Sequence, residues 1–157
     1  MDNKALFKIG YGLYVLTTCY DNTDNGCIIN SVMQLTSSPL QIAITVNKGN
    51  YTHDLIMGSC TFNLSILTTE APMSLFQHFG LQSGRSTKKF DNYQHAQRAD
   101  NNIYFLSDFT NAYLSGHVVK DIDLGTHTMF IAELTNAQIL SDKPSVTYDY
   151  YQQNIKS

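Results

Sequence analysis

The sequence predicts a mainly β chain folded as an antiparallel barrel with short helices over its ends. Segments with period-2 or β-branched patterns dominate, and the helical segments are short. The strands also follow one another directly, without the long crossover helices that a parallel βαβ sheet requires. At 157 residues and 43% hydrophobic, the chain suffices for one domain, residues 1–157, whose core needs no disulfide or metal.

Lys4 to Gly10 reads as a short helix running into the strand Leu13 to Thr18, which is rich in β-branched and aromatic residues. Asp24-Asn25-Gly26 offers positive-φ turn chemistry for a hairpin. The second strand, Cys27 to Thr36, sets Ile28, Ile29, Val32 and Leu35 among polar Asn30, Ser31 and Gln34, too polar for a plain core strand. Ser37-Ser38-Pro39 breaks it, and Ile42 to Val46 reads as a strand buried on nearly both faces. The polar stretch Asn47 to Asp54 then opens a helix through Ile56.

Phe62, Leu64 and Ile66 alternate with Asn63, Ser65 and Leu67 as a strand. Thr68-Thr69-Glu70 is read as the cap of a helix that carries Pro72 in its first turn and stops at Gly80. Gln82 to Tyr93 is loop-like. Two long strands follow, Ala112 to Val119 and His127 to Leu140, joined by a turn from Asp121 to Gly125.

Ten Lys and Arg against thirteen Asp and Glu give a net charge of -3, with no basic cluster, so the electrostatic footprint of a nucleic-acid binder is missing. The first residues lack the apolar run of a secretory signal, and no segment approaches the length of a membrane span, so the expected location is cytoplasmic. Cys19, Cys27 and Cys60 form no CxxC pair and are expected as reduced thiols. Cys19 and Cys27 flank the Tyr20 to Gly26 segment and would face each other if the hairpin turned there.

No GxSxG, HExxH or P-loop is present, and the five histidines show no metal-ligand spacing, so hydrolase, triphosphatase and metal-site chemistry are disfavoured. The informative cluster runs from residue 30 to 53. Asn30-Ser31, Thr36-Ser37-Ser38 and Asn47 to His53 set short polar groups beside apolar strands. A helix start at Asn50-Tyr51-Thr52 suits a phosphate, and apolar walls with a few amides suit a flat aromatic cofactor. The same residues would also serve simply as helix caps and strand ends.

The string from Gly26 to Pro39, followed by Ile42 to Lys48 and Asn50 to Ile56, resembles the flavin reductase-like FMN-binding split-barrel family. Within that family the likeness is to flavoredoxins and the flavin domain of high-molecular-weight rubredoxins. Further matches are Phe62 to Leu67, His78-Phe79-Gly80 with Ser83-Gly84-Arg85 and Lys89-Phe90, and Gly125 to Phe130.

The resemblance implies a split β-barrel homodimer holding FMN noncovalently near the subunit interface. Asn30, Ser31, Val32, Met33 and Gln34 would then lie along the isoalloxazine. Ser37, Asn47, Lys48, Asn50, Thr52 and His53 would line the ribityl and phosphate end, with Arg85 and Lys89 as cationic phosphate partners. His127 would sit by the flavin face where a nicotinamide enters, as the candidate catalytic residue.

The implied activity is electron transfer through FMN, as an NAD(P)H-dependent flavin reductase using NADH or NADPH. The alternatives are a carrier exchanging electrons with a redox protein such as a separate rubredoxin, or a flavin- or haem-storing barrel without turnover. No CxxC pairs of a rubredoxin module and no Rossmann GxGxxG occur in this sequence. Tyr148, Tyr150 and Tyr151 are expected to supply aromatic surface to the dimer interface.

Overall fold

A computed structural model describes residues 1–156. After an N-terminal 3-10 helix, Asn3–Lys8, come strands β1 (Tyr14–Tyr20), β2 (Thr23–Ile29), β3 (Val32–Ser37) and β4 (Leu40–Asn47), then helix α1 (Tyr51–Ser59). Strand β5 (Thr61–Leu67), helix α2 (Met73–Gly80) and the short strands β6 (Ala96–Arg98) and β7 (Tyr104–Leu106) follow. The long strands β8 (Thr110–Asp123) and β9 (His127–Ile139) and C-terminal helical turns over Tyr148–Tyr150 and Tyr151–Ile155 complete the described chain.

Seven strands form one sheet in the order β2-β1-β5-β8-β9-β4-β3, every pairing antiparallel, and β6-β7 form a separate ribbon. The two outermost strands, β2 and β3, are joined by only Asn30 and Ser31. The sheet therefore curls until its edges meet at that corner, which makes it a barrel.

The strand period of two divides the side chains between two cores. Leu16, Ile44, Phe62, Leu64 and Phe130 fill the barrel, whereas Val15 and Leu67 point outward and pack under α2 with Leu75, Phe76 and Phe79. Asn63 and Ser65, also outward, are buried because the β6-β7 ribbon satisfies them. Asn63 Nδ2 donates to the Ile103 carbonyl at 3.0 Å, and the Leu106 N–H donates to Ser65 Oγ at 2.9 Å.

The local reading needs correction in several places. The β1-β2 hairpin turns at Asp21 and Asn22, with φ of 51° and 58°, and not at Asp24-Asn25-Gly26, which pair in register with Cys19, Thr18 and Thr17. Cys27 therefore lies opposite Leu16, away from Cys19, and the cysteines are free. The anticipated strand Cys27 to Thr36 is two strands, because the chain leaves β2 at Ile29 and enters β3 across the barrel corner.

Helix α1 continues past Ile56 to Ser59 and stops where Cys60 takes the left-handed conformation. Helix α2 has Pro72 as its N-cap. Thr68 and Glu70 instead join the C-terminal segment, Thr68 bridging Ser145 and Glu70 pairing with Lys143 at 2.5 Å. The first helix is a 3-10 helix ending at Lys8. Strands β6 and β7 were not anticipated.

Candidate functional site

Two hollows hold six of the fourteen sequence-predicted residues, Asn30, Ser31, Val32, Met33, Asn50 and Lys89. One, of about 190 Å³, lies between β2, the start of α1 and the loop after α2, and Asn25, Cys27, Asn50, Tyr51, Gly84 and Lys89 line it. Its floor is set by burial. Thr52 is fully buried and accepts a hydrogen bond from Asn25 Nδ2 at 2.9 Å, which leaves Asn25 Oδ1 buried with no partner.

A buried carbonyl oxygen without a donor costs about 1–3 kcal/mol, and this one belongs to a side chain that lines the hollow. Gly84 packs directly against it, since a Cβ there would lie 2.1 Å from that oxygen.

Lys89 does not stand on a loop surface. Its side chain is 2% exposed, and Nζ donates to the Gly26 carbonyl at 2.8 Å and the Phe79 carbonyl at 3.0 Å, tying β2 to the end of α2. An ammonium has three N–H donors, so one remains for the hollow. Burial pulls the Lys89 pKa down, with nearby Cys27 opposing, and the same burial pushes the Cys27 thiol up to about 11.

Thr52 and His53 are likewise internal. His53 joins Thr128 on β9, Nε2 to Oγ1 at 2.7 Å, and Asp54, Nδ1 to Oδ1 at 3.0 Å. Asp54 in turn binds Arg85, whose guanidinium carbon lies 4.7 Å over the Tyr51 ring. The Asp54 carboxyl is held below the usual carboxylate range, first by the His53 hydrogen bond and then by Arg85.

The second hollow, of about 350 Å³, lies along the barrel corner, with Tyr11, Tyr14, Asn30, Val32, Met33 and Met129 among its walls and Ser31 beside them. Ser31 Oγ donates to Asn30 Oδ1 at 3.2 Å, and Met33 is 61% exposed, so an apolar surface stands open there.

Other residues named from sequence fall outside these hollows. Gln34 and Ser37 are exposed on β3. Asn47 Oδ1 accepts from the Gly49 N–H at 2.7 Å, and Lys48 pairs with Asp123 at 2.6 Å. Asn50, which does line the smaller hollow, is the N-cap of α1 but makes no side-chain capping bond. His127 is paired in register with Asn47, its Nδ1 2.8 Å from Thr126 Oγ1, and is not among the side chains lining either hollow.

Asn25, Cys27 and Gly84 are site residues that sequence reasoning does not single out, and Tyr51 enters it only as part of the helix start at Asn50-Tyr51-Thr52. Asn25 was assigned to a turn, and a buried strand asparagine leaves no periodic signal; Gly84 was visible in the Ser83-Gly84-Arg85 match. Among the described residues no group of His, Cys, Asp and Glu is placed to hold a metal. No helix there is long and apolar enough to cross a membrane.

The model of the flavin reductase like domain matches residues 6–157. A high molecular weight rubredoxin of Moorella thermoacetica is 39% identical over 98% of the chain, which spans 66% of that protein. A ferric-chelate reductase (NAD(P)H) of Archaeoglobus fulgidus is 38% identical over 96% of the chain and 89% of its own length. In fold, a NADH:FAD oxidoreductase of Streptomyces globisporus superposes with a TM-score of 0.80 at 18% identity, covering 92% of this chain and 88% of that one. The chain therefore belongs to the flavin reductase-like domain family.

Proposed function

We propose that this chain is an FMN-dependent oxidoreductase that accepts hydride from NADH or NADPH and passes electrons on. The observation that carries the reading is the mixed donor and acceptor set of the smaller hollow. An all-donor pocket suits phosphate, but an unpartnered Asn25 Oδ1 beside a free Lys89 N–H suits the polar edge of an isoalloxazine, where a ring N–H stands between carbonyl oxygens. A phosphate would meet the lone pairs of that oxygen unfavourably.

Bound there, FMN supplies the electron-accepting and electron-donating chemistry. Asn25 would accept from the ring N–H, and Lys89 would donate to a ring carbonyl. Lys89 thus moves from the phosphate end to the ring edge, and Thr52 acts by fixing Asn25 instead of touching the ribityl chain. Asn30, Ser31, Val32 and Met33 would line the flank of the ring, and Gln34 and Ser37 would stand at its open side. Asn50 and Arg85 remain the phosphate side of the site. Asn47, Lys48 and His53 are engaged with their own neighbours and would hold the loop before α1 in shape. His127, at the start of β9, would stand where a nicotinamide approaches.

The site would be completed by a second copy. The N-terminal 3-10 helix buries none of its residues, and with its C-cap Ile9 it exposes Leu6, Phe7 and Ile9 by 56%, 67% and 55%, an apolar surface that a dimer partner would cover. Tyr148 and Tyr151 pack on their own chain and leave Tyr150 alone of the three exposed, so the interface is assigned to the N-terminal segment instead.

Rapid mixing of the FMN-loaded oxidised protein with NADH and with NADPH tests the activity. Fast bleaching of the flavin absorbance with either supports the reductase. Slow bleaching with both, but fast exchange with reduced rubredoxin, supports the electron carrier suggested by the rubredoxin relative.

A further inference from the structure

Arg85 is half exposed and directly follows Gly84, which lines the smaller hollow, yet it sits in the irregular loop after α2. An arginine side chain free to rotate loses rotamer entropy when a ligand fixes it, so a loop arginine binds phosphate well only if something already holds it. Here something does. Asp54, in the first turn of α1, binds His53 Nδ1 with one carboxylate oxygen and Arg85 with the other, and the guanidinium rests over the Tyr51 ring.

His53 is itself buried and anchored to Thr128 of β9, so the series Thr128, His53, Asp54 and Arg85 runs from a barrel strand to the loop. Among the described residues the Arg85 side chain makes no hydrogen bond except the one from Nη2 to Asp54, which leaves its other N–H donors available.

We propose that Asp54 is a positioning residue that presents Arg85 to the phosphate of the flavin. The proposal rests on the flavin-site reading above. Both carboxylate oxygens are already met by donors, so Asp54 orients the guanidinium while its own charge is largely compensated. It acts only through Arg85 and touches neither the ring nor the phosphate.

FMN and riboflavin differ only by the phosphate, so titrating both against Asp54→Asn, Arg85→Ala and the double variant isolates this role. An amide offers one acceptor oxygen where two donors converge. Asp54→Asn should therefore loosen FMN by roughly threefold to tenfold and move riboflavin less than about twofold, and the double variant should match Arg85→Ala alone. Unchanged riboflavin affinity also reports that the variants are folded.

Unchanged or tighter FMN binding in Asp54→Asn, or equal loosening of FMN and riboflavin, would overturn the positioning role. If Arg85→Ala itself loosens both ligands equally, the underlying assignment of Arg85 to the phosphate fails, a result distinct from a silent Asp54→Asn beside an FMN-selective Arg85→Ala. Asp54→Glu, which restores the charge on a longer arm, should recover part of the lost FMN selectivity; no recovery would count against orientation by the carboxylate.

Discussion

At the scale of single residues, Lys89 and Cys27 are where the chemistry of the pocket is most exposed to test. Lys89→Met removes two hydrogen bonds to buried carbonyls and should destabilise the protein by about 1–3 kcal/mol in denaturant unfolding. It should also loosen FMN and riboflavin alike, because the ammonium serves the ring edge and not the phosphate. A cation at that edge favours the electron-rich state of the ring, so the midpoint potential of the bound flavin should fall in the variant. A tenfold change in relative affinity corresponds to about 30 mV for a two-electron couple.

The sign of the protonation linkage follows from burial. A lysine whose folded pKa is depressed is costly to keep charged, so its cost to stability is fully present below the folded pKa and disappears as pH rises past the unfolded value. The Cys27 thiol, pushed up to about 11, should remain unreactive toward a disulfide-exchange reagent at pH 8 in the folded protein, while the partly exposed Cys19 and Cys60 react. None of this was legible beforehand for Asn25 or Cys27. A polar residue buried by a partner 27 positions away, as Asn25 is by Thr52, leaves no mark on local pattern.

Among the elements, the β1-β2 hairpin separates what sequence can and cannot decide. Asp24-Asn25-Gly26 and Asp21-Asn22 both carry residues that tolerate positive φ, so local chemistry allowed either turn. Tertiary contacts choose the second, since Asp24 is needed by Arg98 in a two-pronged ion pair and Asn25 by Thr52 inside the pocket. A turn at 24–26 would leave both in solvent.

The consequence is directional. Asn22→Ile, which forces a β-branched residue to φ 58°, should cost about 1–2 kcal/mol, whereas Asn22→Gly should be neutral or slightly stabilising in the same denaturant assay. Gly84→Ala, in the loop after α2, should push against Asn25 and weaken flavin binding with little change in far-ultraviolet circular dichroism. Strands β1, β4 and β5 were readable because both their faces are largely buried and carry apolar and β-branched residues, and β8 and β9 because of their length, although the second half of each is largely exposed. Strands β6 and β7 were not, since three residues each carry no periodicity and owe their pairing to Asn63 and Ser65 beneath them.

For the whole molecule, the barrel class was legible because its strands succeed one another without crossovers, and the order of motifs along the chain identified the family. What no pattern announced was the closure at Asn30-Ser31, a product of sheet order. Light scattering should give about twice the 17.6 kDa chain mass at micromolar concentration, and charged replacements at Phe7 and Ile9 should shift it toward the monomer. The central claim, that the hollow between β2, α1 and the loop after α2 seats FMN, is tested most directly by identifying the cofactor. After incubation of the purified protein with FMN and removal of excess, heat should release noncovalent FMN at one mole per chain, resolved by chromatography. Release of FAD or haem, or of no flavin at all, would contradict the account.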